Sequence, residues 1–322
     1  MTTRLSAQAR PSGQMQAGAE SNAMPVVTID QVRPPQTKLP SGSCDCHVHV
    51  FDPARFPYSA KRTYTPAAAK TTDLVALENR LGIDRIVLVQ PSGYGTDNSC
   101  LINALLQLGP ARARGVAVID LPRISASEID ELHGVGVRSI RLNLEVKGEQ
   151  NAANAKALLT EALQVVETRG WSIQIYADAS VIASVADLIA QARTPVVLDH
   201  FGGLKAERGQ DQPGFSKVLE LLAAGYVYVK LSAPYRASKL PGYEDLAPFA
   251  QKYIETAPDN LVWASDWPHT GSSTNRDGDL SQVEPFRVID DGASLDMLRS
   301  WAGDSGIFQR ILVDNAARLY GF

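Results

Sequence analysis

The stretch CDCHVHVFDP, residues 44–53, sets the interpretation of the fold, because it places two of the chain's five histidines one residue apart. The apolar residues around His47 and His49 predict a buried strand over residues 44–51. Side chains alternate between the two faces of a strand, so His47 and His49 are expected to point the same way. Two imidazoles directed together indicate a functional site.

Short β-like runs alternate with helical patterns along the rest of the chain. We predict eight strands, at residues 44–51, 84–91, 112–120, 137–144, 172–177, 195–200, 227–232 and 261–266. Strands that alternate with helices predict a parallel sheet, and eight such units over about 275 residues predict an α/β fold, a (β/α)8 TIM barrel. An open, doubly wound sheet is the competing fold, although no G-x-G-x-x-G motif follows the first strand.

The segments between the strands carry helical periodicity. We predict helices over residues 73–82, 125–136, 154–170, 181–192, 215–225, 243–257 and 295–312, and a last helix that starts at Asp314. Thr72 is the candidate N-cap of the first helix, and Gly82 is its expected end. Residues 202–214 and 270–292 are expected to be long loops that follow strands, on the barrel face where active sites lie.

Composition excludes several classes of protein. The net charge of −4 leaves no basic surface for nucleic acid or an anionic membrane, and no apolar run approaches the roughly 18 residues of a membrane-spanning helix. The chain has three cysteines, Cys44, Cys46 and Cys100, and this odd, small number is typical of a reducing compartment. A cytoplasmic protein with buried thiols is therefore expected.

The N-terminal region differs in composition from the rest of the chain. Residues 1–24 are rich in Ala, Ser, Gln and Gly without the apolar core of a secretory signal, and Pro34, Pro35 and Pro40 follow. We expect residues 1–42 to form an extended or disordered arm, and residues 43–322 to form one barrel domain. The arm could cross a subunit contact if the protein is a homo-oligomer.

Four histidines and an aspartate lie at or just beyond the ends of predicted strands. These residues are His47, His49, His200, Asp266 and His269, whereas His133 lies on a helix and is expected to be structural. A closed barrel brings the strand ends onto one ring, with the first and eighth strands adjacent. Such a ring suits one divalent ion, zinc or manganese, with an open position for water. Without a metal, Asp266 could take a proton from water while the imidazoles orient or polarise a carbonyl.

Other polar residues are predicted at the same end of the barrel. Arg141 lies on the fourth strand, Tyr176 ends the fifth, and Arg236 follows the seventh. Arginine suits bidentate binding of a carboxylate or sulfonate, so two arginines at one mouth indicate an anionic substrate. Tyr64, after the first strand, could reach over the site.

Four motifs together resemble the amidohydrolase superfamily, in its amidohydrolase 2 branch. They are DCHVHVF (45–51), LDHFG (198–202), WASDWPH (263–269) and DNAARLYGF (314–322). Two longer stretches, residues 47–69 and 81–98, are most similar to the group of 2-pyrone-4,6-dicarboxylate lactonase, sulfomuconolactone hydrolase and galactarolactone isomerase. The resemblance covers residues 43–322 and implies a distorted (β/α)8 barrel that hydrolyses a lactone.

The resemblance also implies roles for the predicted site residues. His47, His49, His200 and Asp266 correspond to the family's central ring, in which Asp266 would activate water and later protonate the leaving group. Tyr64, Arg141, Tyr176, Arg236 and His269 would hold the anionic groups and the carbonyl of the substrate. The isomerase of this group has asparagine in place of Asp266, so a carboxylate here favours hydrolysis.

The metal content stays open between two expectations. Binuclear members of the superfamily use a carboxylated lysine and a further histidine on the middle strands, where this chain has Arg141 and Tyr176, so a binuclear centre is not expected. The dicarboxylate lactonase type is regarded as metal-independent and the sulfomuconolactone type as zinc-dependent. The stretch SAPYRAS (232–238) departs from the dicarboxylate lactonase pattern, which sets that substrate in doubt.

The leading functional hypothesis is a hydrolase for a small lactone that carries carboxylate or sulfonate groups, in the catabolism of aromatic-derived or sugar acids. A metal-dependent decarboxylase of the same branch and a sugar-acid lactone isomerase are the alternative enzymes. A non-catalytic barrel that binds organic acids is the alternative from a different class.

Overall fold

The structure is a computed structural model that describes residues 32–144, 152–271 and 279–322. All eight predicted strands lie in these ranges. They are β1 (Cys44–Val48), β2 (Arg85–Val89), β3 (Ala113–Ala117), β4 (Val137–Asn143), β5 (Ser172–Tyr176), β6 (Val196–Leu198), β7 (Val227–Ser232) and β8 (Leu261–Ala264). Most are shorter at their C-terminal ends than predicted, because the next residues turn out of the extended conformation toward the barrel mouth.

Helices follow the strands in sequence. The helices in the described ranges are α1 (Thr71–Leu81), α2 (Ser99–Leu108), α3 (Ala126–Gly134), α4 (Ala152–Val166), α5 (Ala179–Ser184), α6 (Ala186–Gln191), α7 (Phe215–Ala223), α8 (Pro234–Ala237), α9 (Ala247–Thr256), α10 (Asp291–Ala302), α11 (Ser305–Gln309) and α12 (Asn315–Tyr320). None of them is long and apolar enough to cross a membrane.

The sheet confirms the predicted barrel. Its strands run parallel in the order β1 to β8, each bonded to the next along the chain. Two backbone hydrogen bonds join the residues after β8 to the end of β1 and so bring the first and last strands together. The amide of Asp266 donates to the carbonyl of His47 at 3.0 Å, and the amide of His49 donates to the carbonyl of Trp267 at 2.8 Å. The result is a nearly closed (β/α)8 barrel rather than an open sheet.

One end of the barrel is filled by apolar side chains. Cys44 and Cys46 pack there with valines of the other strands and with Ala316 and Tyr320 of α12. All three cysteines of the chain are buried free thiols, as expected. Helix α12 and the tail that follows it cover this end. The predicted site residues lie at the opposite end, where the strands finish.

Helix α1 shows how the outer layer forms. Its buried residues include Leu74, Leu77 and Leu81, a spacing of three and four residues that places them on one face against the sheet. The helix ends at Gly82, which has a φ of 83°, as predicted. Its N-cap is Lys70 instead of Thr72, because the side chain of Asp73 accepts from the Lys70 amide.

Several helical segments differ from the prediction. Helices α2 and α8 lie outside the segments predicted to be helical. The segment 181–192 forms two helices, α5 and α6, that meet at Val185, where the backbone leaves the helical region. The segment 295–312 is likewise interrupted, because Gly303 stops α10 with a φ of 63°. Local backbone conformation therefore overrides a continuous apolar pattern.

The start of the described chain packs against α10. Arg33 forms ion pairs with Asp290 at 3.0 Å and with Asp296 at 2.6 Å, while Val32 and Leu39 are buried. Residues 32–42 form neither a helix nor a strand. The rest of the predicted arm, residues 1–31, lies outside the described residues, as do residues 272–278 of the predicted loop 270–292.

We predict that Gly203→Ala lowers the free energy of unfolding by about 2–5 kcal/mol. Gly203 has a φ of 73°, and an added Cβ would lie 1.9 Å from the carbonyl oxygen of Ala177. The loop after β6 could then no longer approach the end of β5. Urea unfolding measures the change.

Gly170→Ala is the matched control for this substitution. Gly170 has a similar φ of 63°, but no atom lies within 4 Å of an added Cβ. It should therefore lose only the roughly 1–2 kcal/mol of a left-handed non-glycine residue. Equal losses in the two variants would show that close packing at Gly203 is unimportant.

Candidate active site

His47 on β1 and His49 directly after β1 face one oxygen atom. The Nε2 atoms of His47 and His49 lie 3.6 and 3.5 Å from Oδ1 of Asp266, which follows β8. The rings themselves lie edge to face, 4.9 Å apart between centroids. Since β1 carries an irregularity in its register with β2 between Asp45 and Val48, the shared direction of the pair comes from a locally distorted strand. The predicted common direction of the pair is confirmed.

His200 completes the ring from the other side of the barrel. Its Nε2 lies 3.7 Å from the same Oδ1 of Asp266, and its ring centroid lies 4.8 Å from that of His47. Both His200 and Asp266 have positive φ, at 47° and 66°. Non-glycine residues adopt this conformation at a free-energy cost of about 1–3 kcal/mol, and such residues cluster at functional sites. The backbone is bent here so that the side chains meet.

Each histidine of the ring is held through its other nitrogen. Nδ1 of His47 lies 3.2 Å from Asp199 Oδ1, and Nδ1 of His49 lies 2.7 Å from the carbonyl oxygen of Val89. Nδ1 of His200 lies 2.9 Å from the hydroxyl of Ser232. A carbonyl can only accept, so His49 carries its proton on Nδ1 and its Nε2 lone pair faces Asp266. Nδ1 of His47 lies 3.2 Å from both the Asp199 carboxylate, which accepts, and Nζ of Lys230, which donates.

This arrangement fits a cation. Nε2 of His47 and Oδ1 of Asp266 are buried atoms without a hydrogen-bond partner among the described residues. A tetrahedral ion with metal–ligand distances of about 2.0–2.2 Å separates its ligand atoms by about 3.3–3.6 Å, close to the spacing here. Histidine ligands of metals usually have their second nitrogen against a carboxylate or carbonyl, and Nδ1 of His47 and of His49 lies against such a group. His47, His49 and Asp266 could therefore hold a metal ion, with His200 as a further ligand.

A second group of potential ligands overlaps the first. His47, Asp199 and His200 also lie close enough together to hold an ion. However, Asp199 already faces the ammonium group of Lys230, with 3.2 Å between Oδ1 and Nζ. Among the described residues, no lysine forms an ion pair with Asp266. The group of ligands around Asp266 Oδ1 is therefore the better cation site.

The other oxygen of Asp266 is fully engaged. Oδ2 accepts from the Tyr235 hydroxyl at 2.7 Å and from Nε of Arg236 at 2.8 Å. Burial is the largest single effect and acts to raise the pKa of Asp266, but the Arg236 guanidinium and the three neighbouring histidines together outweigh it and hold that pKa well below the ordinary range. Burial, together with the charge of Asp266, raises the pKa of Tyr235, so the phenol keeps its proton. Asp266 is therefore ionised and held in one orientation.

Burial controls the charge of the ring histidines. It lowers the pKa of His47 well below the usual value, although Asp199 acts in the opposite direction. It lowers the pKa of His200 to about 3, despite the nearby carboxylates of Asp266 and Asp199. Both imidazoles are thus neutral at neutral pH, which is the form that binds a metal or polarises a carbonyl as an uncharged group.

Tyr176 contacts both predicted arginines and also His200. The guanidinium carbons of Arg141 and Arg236 lie 5.7 and 5.9 Å from the centre of the Tyr176 ring. Tyr176 in turn lies edge to face with His200, with 4.9 Å between centroids. The structure therefore brings Arg141, Tyr176 and Arg236 together beside the ring, as their strand positions predicted.

Tyr64 and His269 lie at the margin of this cluster. Tyr64 is buried, and its hydroxyl lies 3.5 Å from that of Ser92 on the loop after β2. His269 lies 3.4 Å from the Tyr235 hydroxyl through Nδ1 and 3.0 Å from Asp291 through Nε2. The His269 side chain thus reaches Asp266 through Tyr235, while the His269 amide donates to the carbonyl of Asp266 at 2.9 Å. His133 lies elsewhere, stacked on Trp171, which confirms its structural character.

Three residues that hold the site side chains in place are not among the predicted site residues. Asp199 and Tyr235 were not predicted as site residues, and Asp291 was not predicted as the partner of His269. Asp199 directly precedes His200, and Tyr235 directly precedes Arg236. Their position next to a predicted site residue is the only signal in the sequence. However, neighbouring residues of a strand are expected to point to opposite faces, so this signal is not a reason to predict them.

Comparisons with known proteins identify the family of the chain and several relatives. A family model described as Amidohydrolase, Amidohydro_2, matches residues 44–322. A 4-sulfomuconolactone hydrolase from Rhizobium radiobacter is 36% identical over 287 residues, which cover 88% of this chain and 91% of that protein. A 2-pyrone-4,6-dicarboxylate hydrolase from Comamonas testosteroni is 34% identical over 297 residues, which cover 89% and 92%.

A solved structure shows the same architecture. The crystal structure named as that of a probable 2-pyrone-4,6-dicarboxylic acid hydrolase from Acinetobacter baumannii, with citric acid bound, superposes with a TM-score of 0.72 at 26% identity. The match covers 87% of this chain and all of that one.

We predict that the His200 imidazole stays neutral from about pH 8 down to about pH 5 in metal-stripped protein, because burial lowers its pKa to about 3. The unfolded chain takes up this proton near pH 6.5, so His200 lowers stability as the pH falls from about 6.5 toward 3. NMR titration of the ring signals measures the pKa, with the same ring in urea as the reference. A midpoint near 6.5 in the folded protein would refute the prediction.

Proposed function

The chain belongs to the amidohydrolase family, and from this premise we propose that it is an enzyme that hydrolyses a small anionic lactone. The relatives at 36% and 34% identity are named as hydrolases of a sulfonated lactone and of a pyrone dicarboxylate, respectively. The observation that carries the proposal is the convergence of His47, His49 and His200 on one oxygen of Asp266, with Arg141 and Arg236 alongside. A nucleophile-activating group and anion-binding groups thus share one barrel mouth.

We propose that Asp266 is the catalytic acid and base. Its Oδ1 is buried and bears no hydrogen bond within the described residues, so it is free to accept a proton from an attacking water. Water oxygen bonds to the lactone carbonyl carbon, the ring carbon–oxygen bond breaks, and the proton passes from Asp266 to the departing ring oxygen. Tyr235 and Arg236 hold Oδ2 throughout, which keeps Oδ1 directed at the reacting atoms.

His47, His49, His200 and Asp266 are proposed to hold one divalent metal ion, and zinc suits this set of nitrogen and carboxylate ligands. When bound, such an ion acts as a Lewis acid toward the carbonyl and toward water. If the enzyme works without a metal, polarising the lactone carbonyl requires an imidazole with its proton on Nε2. The hydroxyl of Ser232 can donate to Nδ1 of His200 and so permits that form for His200.

The anionic groups of the lactone are proposed to bind Arg141 and Arg236, with Tyr64, Tyr176 and His269 as further contacts. Guanidinium groups suit carboxylate and sulfonate oxygens because their N–H groups form a rigid fork. Tyr176 lies between the two arginines and His200, so an anion bound there lies next to the ring.

We further propose that residues 43–322 act as one catalytic domain after an N-terminal arm, and that the protein works in the cytoplasm. The family match over residues 44–322 supports the single domain. The three free, buried thiols support a reducing compartment.

The decisive experiment is a lactone assay on purified protein before and after treatment with a chelator. We expect hydrolysis of 4-sulfomuconolactone or 2-pyrone-4,6-dicarboxylate, and far slower hydrolysis of an uncharged lactone. Elemental analysis should find about one zinc per chain, with activity lost on chelation and restored by zinc. Full activity without metal would assign Asp266 as a metal-free base, whereas no activity on any anionic lactone would contradict the proposed function.

We predict that Asp266→Asn lowers turnover about 100- to 10,000-fold, because the amide cannot accept the proton of water. Steady-state rates on the preferred lactone measure the loss.

The matched control for Asp266→Asn is Glu78→Gln, another buried carboxyl changed to its amide. Burial raises the pKa of Glu78 well above its ordinary range, so this side chain is already uncharged. Glu78→Gln should keep wild-type turnover. A similar loss in both variants would indicate general damage to the fold instead of a role for Asp266.

A further inference from the structure

A closed network of buried polar groups lies beside the ring of histidines. Lys230 and Gln174 are fully buried, and Asp199 is 1% exposed. Nζ of Lys230 donates to Oε1 of Gln174 at 2.7 Å and lies 3.2 Å from Oδ1 of Asp199. Nε2 of Gln174 donates to Oδ2 of Asp199 at 2.9 Å, which closes the loop. None of these three residues belongs to the machinery proposed above.

The carboxylate of Asp199 contacts two parts of the proposed machinery. Its Oδ1 lies 3.2 Å from Nδ1 of His47. Its Oδ2 lies 3.5 Å from Nε of Arg141, a buried nitrogen with no hydrogen-bond partner among the described residues. One rigidly held carboxylate therefore touches both a ring histidine and an arginine of the proposed anion site.

We propose that Asp199 is a positioning residue that fixes the tautomer of His47 and the orientation of Arg141, and that Lys230 and Gln174 hold its carboxylate in place. The inference rests on the proposed function in one respect, namely the roles given there to His47 and Arg141. Histidines that bind metals or carbonyls depend on the group that holds their second nitrogen.

The alternative tautomer of His47 is disfavoured by geometry. Lys230 Nζ also lies 3.2 Å from Nδ1 of His47, so the ammonium could donate to it and leave the proton on Nε2. That proton would then face Asp266 Oδ1 at 3.6 Å, which is too long for a hydrogen bond. With the proton on Nδ1, His47 donates to Asp199, and Lys230 still has Asp199 and Gln174 as acceptors.

The test is the tautomer of His47, read by NMR of the ring nitrogens in metal-stripped protein without substrate. The chain has only five histidines, so His47→Gln identifies the signal by its loss. We expect the Nδ1–H form in the wild type. In Asp199→Leu, Lys230 becomes the only partner of Nδ1, so the Nε2–H form should dominate.

Asp199→Asn is the conservative variant in this test. The amide oxygen of the new side chain can still accept from His47, so the Nδ1–H form should return. The amide nitrogen cannot accept from Arg141, so this variant should raise KM more than it lowers kcat. Ser139→Ala, which removes a buried hydrogen bond from β4 to the carbonyl of Ser172 on β5, is the control and should leave the tautomer unchanged.

Metal binding provides a second measurement. Zinc affinity, measured by competition with a chromophoric chelator, should fall about 10- to 100-fold in Asp199→Leu and less in Asp199→Asn.

Two results would overturn the inference: an Nε2–H form of His47 in the wild type, or an unchanged Nδ1–H form in Asp199→Leu. If Asp199→Leu does not fold, the wild-type tautomer and the Asp199→Asn variant remain decisive. The NMR measurement needs neither lactone nor metal. A protein with the expected tautomer that hydrolyses no lactone would therefore refute the proposed function alone.

Discussion

The site depends on one unusual constraint, the meeting of three imidazole Nε2 atoms with a single carboxylate oxygen, Asp266 Oδ1. The three nitrogens lie 3.5 to 3.7 Å from that oxygen, and a nitrogen that presents its lone pair repels the oxygen unless a positive charge or a proton lies between them. Hydrogen bonds to the opposite sides of these groups hold them together. Val89, Asp199 and Ser232 contact the Nδ1 atoms of the histidines. Tyr235 and Arg236 donate to the other oxygen of Asp266, Oδ2. The fold maintains an arrangement that its site atoms alone would not adopt, and the arrangement is complete only with a cation, water or substrate.

The barrel provides this restraint because its two ends have different chemistry. One end is closed by apolar side chains, including the fully buried Tyr320 of the last helix. At the other end the chain leaves β6, β7 and β8 through residues with positive φ, namely His200, Ala233 and Asp266. Such bends turn polar side chains into the mouth, where a straight strand would direct every second one outward. Conformational strain and function therefore coincide at the same positions.

The sequence predicts the barrel and the central ring for a simple physical reason. Strand periodicity places residues at strand ends, and a closed barrel brings those ends together, so His47, His49, His200 and Asp266 could be grouped without coordinates. Arg141 and Tyr176 follow from the same reasoning, since they lie on adjacent strands. Helix limits were less predictable, because interruptions such as those at Val185 and Gly303 depend on local backbone conformation.

The supporting residues escaped prediction because the same periodicity fails where the strands end. Alternation would direct Asp199 away from His200, but His200 lies beyond β6 with a φ of 47°, so both neighbours reach the ring. Tyr235 and Arg236 are also adjacent, and both bind Asp266 Oδ2 because they lie on the short helix α8, which follows the bend at Ala233. A sequence pattern reports which strand ends meet, whereas the partners of each side chain depend on turns of one or two residues.

The fixed charges of the site also explain why an anion suits it. Arg141, Arg236 and Lys230 are basic, Asp199 and Asp266 are acidic, and burial keeps His47 and His200 neutral. The set has one excess positive charge when its basic groups are protonated, and a bound divalent ion would raise the excess to three. Buried charge without compensation is unfavourable. With a divalent ion bound, a lactone that carries two acidic groups would offset most of this excess, whereas a neutral lactone would leave it uncompensated, so these charges favour the anionic substrate proposed above.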